Sequence, residues 1–219
     1  MTDDFARFGA MLTDKNRAVN LTAISGERDM ASLHFLDSLS LLTLVRVKNA
    51  DKGTRFLDVG SGAGMPGLPL RIAAPQYSYT LLDSNIKRVG FVEAVCRALG
   101  FGDVKCVHAR AEDFARTDGR DTYDFVASRA VARLDVLCEL CMPLIKTGGF
   151  FVAMKGADIS DETGGAKNAI ESLGGQIDET AEYVIPSTDI RRTLVVIRKI
   201  VATPAQYPRR FAKILRDPL

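Results

Sequence analysis

The chain has 219 residues, of which 47% are hydrophobic and 26% are charged, and its formal net charge at pH 7 is +2. This length and composition suit one α/β domain with a small extension, or two small domains. They argue against a generally basic protein, and no apolar run reaches the roughly 18 residues of a membrane span. The first residues, MTDDFARFGAML, carry early acids and no basic-then-apolar pattern, so we expect a cytoplasmic protein without a secretory signal.

The first 50 residues predict a small helical cap. Apolar residues recur at helical spacing from residue 3 to about 18, and again from Met30 to about Val47. Ser25 is a plausible start for the second helical region, and Asp51 to Gly53 suit a turn. We therefore expect a cap over residues 1–50, before the main sheet begins.

Strands and helices alternate after the cap, which predicts a doubly wound α/β sandwich. The expected strands are short and apolar, as in a parallel sheet buried on both faces. They cover residues 54–60, 78–83, 103–108, 123–128 and 148–155, with helices at 66–74, 86–99, 133–146 and 158–173. Two further strands, 182–185 and 193–200, form a hairpin around Pro186 that closes the sheet edge. The expected domain covers residues 51–203, followed by a basic tail over 204–219.

The four cysteines do not suggest a disulfide framework in a chain of this length, so reduced thiols are expected. Cys138 and Cys141 form a C-x-x-C pair within a helical pattern, without a second cysteine or histidine pair nearby. Core packing is the better interpretation of this pair, and we expect no metal site.

A glycine-rich turn follows the first strand of the sheet, in the segment RFLDVGSGAGMPG. Gly60, Gly62 and Gly64 let the backbone turn tightly and leave room for a flat, nucleotide-sized ligand. Asp58 precedes them at the strand end, where a carboxylate would repel a pyrophosphate. It would suit a cofactor with an ammonium and a sulfonium group, which is S-adenosylmethionine.

Two alternatives to a methyl-donor site stay open at this point. The segment from Gly62 to Gly67 also matches the dinucleotide fingerprint G-x-G-x-x-G of an NAD- or FAD-dependent oxidoreductase. Against it, Gly60 already occupies the position at which that fingerprint should begin. The other alternative is a glycine-rich turn that binds nothing, although three such glycines carry an entropic cost that an ordinary turn avoids.

The carboxyl ends of the other strands supply further candidate site residues, because ligands of open α/β sheets bind there. Asp83 could accept the hydroxyls of a ribose, or it could cap the helix that begins near Asn85. Arg129 and Lys155 end two neighbouring strands, and two cations beside a cofactor pocket would meet an anionic substrate.

The segment Ser128-Arg129-Ala130 stands where many methyltransferases carry N-P-P-Y or D-P-P-Y to bind an amino group. The lack of such a motif here argues against amino-nitrogen chemistry. A guanine N7 lone pair needs no proton removed before it attacks, so we expect no catalytic general base.

Positive charge is concentrated near the C-terminus. Arg209, Arg210 and Lys213 lie in the tail with Arg216, and four more cations precede them: Arg191, Arg192, Arg198 and Lys199. This patch fits a polyanionic partner, although a solvated terminus fits the charge equally well.

The whole chain resembles the bacterial ribosomal RNA small subunit methyltransferase G family, also called glucose-inhibited division protein B. NLTAI and HFLDSL lie outside the general methyltransferase fold and are the most specific matches. The matching segments are Asn20–Ile24, His34–Leu39, Leu57–Gly64, Leu82–Ser84 with Lys87 and Arg88, Arg110–Glu112, Ser128–Ala130, Lys155–Gly156 and Arg192–Ile197.

The resemblance implies a class I S-adenosylmethionine-dependent methyltransferase fold, Rossmann-like, with seven mostly parallel strands and an N-terminal helical cap. It implies N7 methylation of a guanosine in the 530 loop of 16S rRNA, within the small ribosomal subunit, by a protein that we expect to be a monomer. The cofactor-binding residues expected from motif and resemblance together are Asp58, Gly60, Gly62, Gly64, Met65, Asp83, Ala111, Glu112 and Arg129. The residues expected near the RNA are His34, Asp37, Arg110, Lys155, Arg192, Arg209, Arg210 and Lys213. Asp37 has an alternative role, as the cap of a helical segment that starts at Ser38.

Overall fold

A seven-stranded sheet in the order β3-β2-β1-β4-β5-β7-β6 forms the centre of the computed structural model. The structure describes residues 1–19, 21–22, 24 and 26–219. Strands β1 to β5 run parallel, and β7 lies antiparallel between β5 and β6. The strands are β1 (Arg55–Val59), β2 (Ser78–Asp83), β3 (Lys105–His108), β4 (Tyr123–Arg129), β5 (Ile145–Lys155), β6 (Gly175–Val184) and β7 (Arg191–Lys199).

Helices cover both faces of this sheet, as the alternation of elements predicts. Before β1 stand α1 (Thr2–Val19), α2 (Glu27–Asp29), a π-helical segment (Met30–Leu36), α3 (Asp37–Leu39), a 3-10 segment (Ser40–Thr43) and α4 (Val45–Lys48). After it come α5 (Gly67–Ala73), α6 (Ile86–Leu99), α7 (Ala111–Phe114), α8 (Leu134–Cys141), a 3-10 segment (Met142–Leu144), α9 (Ser160–Gly165), α10 (Lys167–Ser172) and α11 (Phe211–Arg216).

Alternate residues of the central strands belong to two hydrophobic clusters, one on each face of the sheet. Phe56 points into a cluster with Phe8 of α1 and Phe91 of α6, so the cap packs on this face. Leu57, its neighbour, joins the opposite cluster, which includes α8, α10 and Ile214 of α11. The cap and the tail therefore both contribute to the core of the sheet.

The predicted fold class is confirmed, but several boundaries differ. The expected helix over 30–47 is divided into four short segments of different helical type. Strand β6 begins at Gly175 rather than residue 182, and β5 begins at Ile145 rather than residue 148. Most of β6 is exposed or half-buried as an edge strand, so its sequence lacks the apolar run that marks a buried strand. The predicted helix start at Ser25, like Asn20 and Ala23 of the NLTAI segment, lies outside the described residues.

Within the described part of the chain, no helix is both long and apolar enough to cross a membrane.

Candidate active site

The loop after β1 needs its glycines for two different reasons. Gly60, Gly62 and Gly64 have φ angles of 73°, 56° and 93°, which side chains rarely tolerate. A Cβ on Gly60 would lie 2.5 Å from Val131 Cγ2, and one on Gly64 would lie 2.5 Å from Leu68 Cδ1. At Gly62 only the carbonyl oxygen of Gly60 comes within 4 Å, at 3.9 Å. Side chains thus pack closely at Gly60 and Gly64, whereas the backbone is open at Gly62.

Asp58 lies under this loop rather than beside the open space. Its side chain is fully buried, and Oδ2 accepts a hydrogen bond from the amide of Gly67 at 2.8 Å, at the start of α5. Oδ1 has no hydrogen-bond partner in the described part of the chain. Burial raises the pKa of Asp58 to about 7, against the lowering effect of the Gly67 amide. In this position Asp58 contacts the start of α5 and lines neither of the two cavities described below.

Asp83 links the loop to the end of β2. Its Oδ2 accepts from the amide of Gly62 at 2.9 Å, and its Oδ1 accepts from the amide of Asn85 at 2.8 Å. The side chain of Asn85, not that of Asp83, caps α6 by accepting from the amide of Lys87. Of the two alternative roles for Asp83, the helix cap is therefore supplied by Asn85 instead, and Asp83 lines a cavity.

A cavity of about 350 Å³ opens above the glycine loop, at the carboxyl ends of the strands. Its walls are formed by Leu21, Thr22, His34, Gly60, Ser61, Gly62, Ala63, Met65, Asp83, Ser84, Arg88, Arg129, Ala130 and Val131. The loop with glycine at alternate positions and the carboxylate of Asp83 fit an adenosine that carries a positive sulfonium group. The residues present therefore suit S-adenosylmethionine.

A second cavity, of about 340 Å³, adjoins the first and is lined by Lys155, Arg192, Met154, Gly156, Ile24, Leu33 and Asp37. His34, Arg129 and Ala130 line both cavities and so form the wall between them. At this wall, Ala130 has a φ angle of 56°, which is an uncommon conformation for a residue with a side chain. Lys155 is held in place because its Nζ donates to the carbonyl of Ala132 at 2.7 Å and pairs with Glu162 at 2.9 Å.

Arg129 is fixed by the cap. Its Nη1 donates to Asp37 Oδ2 at 2.8 Å and to the carbonyl of Leu33 at 2.9 Å, and its Nη2 donates to His34 Nδ1 at 2.9 Å. The other carboxylate oxygen of Asp37 accepts from the hydroxyl of Tyr183 in β6 at 2.7 Å. Asp37 is helical in its own backbone and does not cap the segment at Ser38. Its carboxylate therefore links β6 to the end of β4.

The protonation state of His34 follows from these contacts. A guanidinium has only donors, so Nδ1 of His34 must be the acceptor and the proton must lie on Nε2. Nε2 then donates to Thr22 Oγ1, at 2.8 Å. Burial and the charge of Arg129 lower the pKa of His34 to about 4, although Asp37 opposes them. His34 is neutral near pH 7, with both ring nitrogens occupied.

Not all the predicted site residues meet here. Ala111 and Glu112 begin α7 and do not line either cavity, and Glu112 is buried. Arg110 lies over the ring of Phe211 in the tail, 5.0 Å from its centroid. Arg210 and Lys213 are exposed on the tail, also away from both cavities.

Two cations of the predicted basic patch have structural roles. Arg209 pairs with Glu139, a fully buried residue of α8, through Nε at 2.8 Å and Nη2 at 2.6 Å. Lys199 is itself fully buried, and its Nζ donates to the carbonyl of Ile145 at 2.7 Å and pairs with Asp121. The expectation that Lys199 belongs to an exposed basic patch is therefore wrong.

Tyr183 is a member of the Arg129–Asp37 hydrogen-bond network that the sequence does not reveal. It lies 146 positions from Asp37 and is half-buried in the edge strand β6. No local pattern marks it. Thr22, by contrast, lies within the family-specific NLTAI segment.

The fold and site define a class of protein. The sheet order, the glycine loop after β1 and the cavity above it are those of class I methyltransferases, which use S-adenosylmethionine as methyl donor. A solved structure of a putative methyltransferase from Bacillus halodurans C-125 matches with a TM-score of 0.58 at 14% identity, covering 74% of this chain and 99% of that one. At that identity the likeness concerns the fold alone.

Sequence comparison gives the family. The family model for rRNA small subunit methyltransferase G matches residues 1–190. The ribosomal RNA small subunit methyltransferase G of Alkaliphilus oremlandii is 44% identical over 214 residues, 97% of this chain and 88% of that protein. The protein of the same name from Lactobacillus johnsonii is 43% identical over 217 residues, 98% of this chain and 90% of that one. The chain belongs to the rRNA small subunit methyltransferase G family, and the oxidoreductase alternative finds no support.

Proposed function

We propose that this protein transfers the methyl group of S-adenosylmethionine to N7 of a guanosine in the 530 loop of 16S rRNA, within the small ribosomal subunit. Family membership supports the substrate class. The observation that carries the proposal is the pair of adjoining cavities, one with the glycine loop and Asp83, the other with Lys155 and Arg192. A cationic cofactor suits the first, and a nucleotide with its phosphates suits the second.

The first cavity would hold S-adenosylmethionine, whose sulfonium would supply an electrophilic methyl group. At Gly62 the cofactor could approach the backbone, because only the carbonyl oxygen of Gly60 comes within 4 Å of the Cβ position there. Asp83 lines the cavity and could accept ribose hydroxyls with the lone pairs that its two amide contacts leave free.

The second cavity receives the target base, with Arg129 at its boundary with the cofactor. Lys155 and Arg192 bind the negative backbone around the base, while the cap closes the other side through Leu33 and Asp37. Extrusion of a single base into such a pocket is the usual way for enzymes to reach it. The exposed cations Arg210 and Lys213 add sequence-independent attraction for the RNA.

No general base is required. His34 uses Nδ1 to accept from Arg129 and Nε2 to donate to Thr22, and both oxygens of Asp37 already accept hydrogen bonds. The groups at the shared wall that could take a proton are thus occupied. Guanine N7 would attack with its own lone pair, so catalysis would rest on the residues that position the base beside the cofactor. We propose that the enzyme acts as a cytoplasmic monomer.

Mass mapping of 16S rRNA tests this function. RNA from cells with and without the protein is digested and compared, and the expected difference is one methylated guanosine in the 530 loop. An identical methylation pattern in both samples would contradict the proposal. Calorimetry with S-adenosylmethionine and with NADH checks the cofactor separately, and binding is expected for the former alone.

A further inference from the structure

Two cysteines lie on neighbouring elements outside the candidate active site, one on α6 and one on the edge strand β3. Cys96 stands near the end of α6, and Cys106 stands within β3, which pairs with β2 alone. Both pack in the same hydrophobic cluster on one face of the sheet. The two side chains are close enough that each thiol affects the pKa of the other. Neighbouring elements of the fold thus bring the two sulfur atoms together.

The pair is accessible from one side. A groove of about 540 Å³ runs over the turn between α6 and β3, and both cysteines line it. Cys96 is buried and Cys106 is half-buried. A small reagent that enters the groove therefore reaches Cys106 more readily than Cys96.

The two thiols are unequal, because Cys106 is half-buried whereas Cys96 is buried. The neighbouring Cys96 lowers the pKa of Cys106, although burial and the nearby Glu93 act against that lowering, and the pKa of Cys96 is raised. The remaining thiols differ strongly, because complete burial in the opposite core raises the pKa of Cys138 and Cys141. Thiolate character and exposure set the susceptibility of a cysteine to oxidation, and a neighbouring thiol allows a disulfide to follow.

We propose that Cys106 and Cys96 form a peroxide-sensitive dithiol, in which Cys106 is oxidised first and Cys96 resolves it to an intramolecular disulfide. The Cys106 thiolate attacks one oxygen of hydrogen peroxide, so an S–O bond forms, the O–O bond breaks and hydroxide leaves. The Cys96 sulfur then attacks the Cys106 sulfur, an S–S bond forms, and the S–O bond breaks. The oxygen departs as water with the Cys96 proton, and the two sulfurs together have lost the two electrons that peroxide gained.

This modification site is independent of the proposed methyl transfer, and its chemistry is tested without RNA or cofactor. The full chain is treated with hydrogen peroxide, its remaining thiols are alkylated after unfolding, and peptides are mapped by mass spectrometry. The expected product links the peptides of Cys96 and Cys106, while Cys138 and Cys141 are recovered alkylated.

Single substitutions assign the order of the two steps. Cys96→Ser should stop at a sulfenic acid on Cys106, which a 1,3-diketone traps, whereas Cys106→Ser should yield neither product. Cys138→Ser, in the opposite core, is the matched control and should still form the disulfide. Before oxidation, Cys106 should be alkylated in the folded chain at least about tenfold faster than Cys138 or Cys141.

Two results would overturn the proposal. One is recovery of all four thiols after peroxide treatment, and the other is oxidation spread evenly over the four cysteines. The Ser variants should fold, because serine is close to cysteine in size. Thermal unfolding of each variant checks that it is folded before its oxidation is compared.

Discussion

At the scale of single residues, Asp58 shows how the role of a motif residue depends on its burial. The sequence places the carboxylate of Asp58 directly before the glycine loop. From this position we predict that Asp58 selects a positively charged cofactor. In the structure this carboxylate is fully buried and holds the amide of Gly67, while Asp83 is the acid that lines the cavity. Selection by Asp58 stays a prediction, and any such effect passes through the loop.

The buried carboxyl of Asp58 should make stability depend on pH. Its pKa is about 7 in the folded chain, against 3.8 for an exposed aspartate, so the folded state binds more protons between these values. The free energy of unfolding should therefore fall as pH rises from about 4 to 7, by up to about 1.4 kcal/mol per pH unit, and then level off. Urea unfolding across this range measures it.

Asp58→Asn is the matched control, because it keeps the shape and a carbonyl that can accept from Gly67, but does not titrate. The stability of the wild-type protein minus that of the variant should decline with rising pH over the same window. A difference that stays constant would show that the Asp58 carboxyl does not have the raised pKa.

At the scale of elements, the site depends on three segments that are far apart in sequence. Arg129 ends β4, Asp37 lies 92 positions earlier in the cap, and Tyr183 lies 146 positions after Asp37 in β6. Burial and the hydrogen bond to Asp37 raise the pKa of Tyr183, so its hydroxyl stays a donor. The strand that closes the sheet edge thus helps to set the guanidinium between the two cavities.

Removal of the Tyr183 hydroxyl should impair methyl transfer more than cofactor binding. Tyr183→Phe leaves Asp37 Oδ1 buried without its donor, which costs about 1–3 kcal/mol and loosens Arg129. We expect kcat/KM for RNA to fall about tenfold or more, with the affinity for S-adenosylmethionine nearly unchanged. Single-turnover methylation and calorimetry measure the two quantities.

Tyr77→Phe provides the control for a purely structural effect. The Tyr77 hydroxyl is also buried and donates to the carbonyl of Val47 at 2.7 Å. Neither residue lines either cavity of the site. This variant should lose stability but keep its kcat/KM once folded. Equal kinetic losses in both variants would show that Tyr183 acts on stability alone.

The sequence predicts the elements of this fold better than it predicts their contacts. Short apolar strands before Gly60 and Asp83 are visible in local patterns, and the rule that parallel strands bind ligands at their carboxyl ends then locates the site. The early half of β6 is not visible, because an edge strand alternates without an apolar run. The Asp37–Tyr183 contact depends on which strand takes the sheet edge, and no local pattern encodes that choice.

At the scale of the whole molecule, charge counted along the sequence differs from charge available to a partner. Two cations of the basic C-terminal region are not available to a partner. Lys199 is buried in the core and pairs with Asp121, and Arg209 pairs with the buried Glu139. The segment that carries Arg209 is also held by Arg116 and Arg120, which donate to the carbonyls of Pro208 and Tyr207 at 2.8 Å. Arg116, Arg120 and Arg209 thus fix the tail to the fold, whereas Arg210 and Lys213 are exposed to solvent.

Arg209 should matter for stability more than its exposed neighbour. Arg209→Ala leaves the Glu139 carboxylate buried without its guanidinium, which should destabilise the fold by about 3–5 kcal/mol. Arg210→Ala, one residue further on and exposed, should change stability by less than about 0.5 kcal/mol. Denaturant unfolding compares the two, and similar losses would contradict the structural role of the Arg209–Glu139 pair. Adding Glu139→Gln to Arg209→Ala should recover part of the loss.

The exposed tail cations should set the salt dependence of RNA binding. Each phosphate contact that is lost should reduce the slope of log affinity against log salt by about 0.7 on single-stranded RNA. Arg210→Gln with Lys213→Gln should therefore flatten that slope and weaken binding at low salt, without changing the affinity for S-adenosylmethionine. Filter binding of a 530-loop RNA at several salt concentrations measures the slope.

The control is a second double variant with the same net charge, in which the two substitutions lie at the opposite edge of the sheet. Lys52 and Lys105 are exposed at or just before the amino ends of β1 and β3, opposite the cavities. Lys52→Gln with Lys105→Gln removes two positive charges there and should leave the slope close to that of the wild-type protein. If both double variants flatten it equally, net charge alone attracts the RNA. If neither does, the tail makes no phosphate contacts, and the cations of the second cavity carry the attraction.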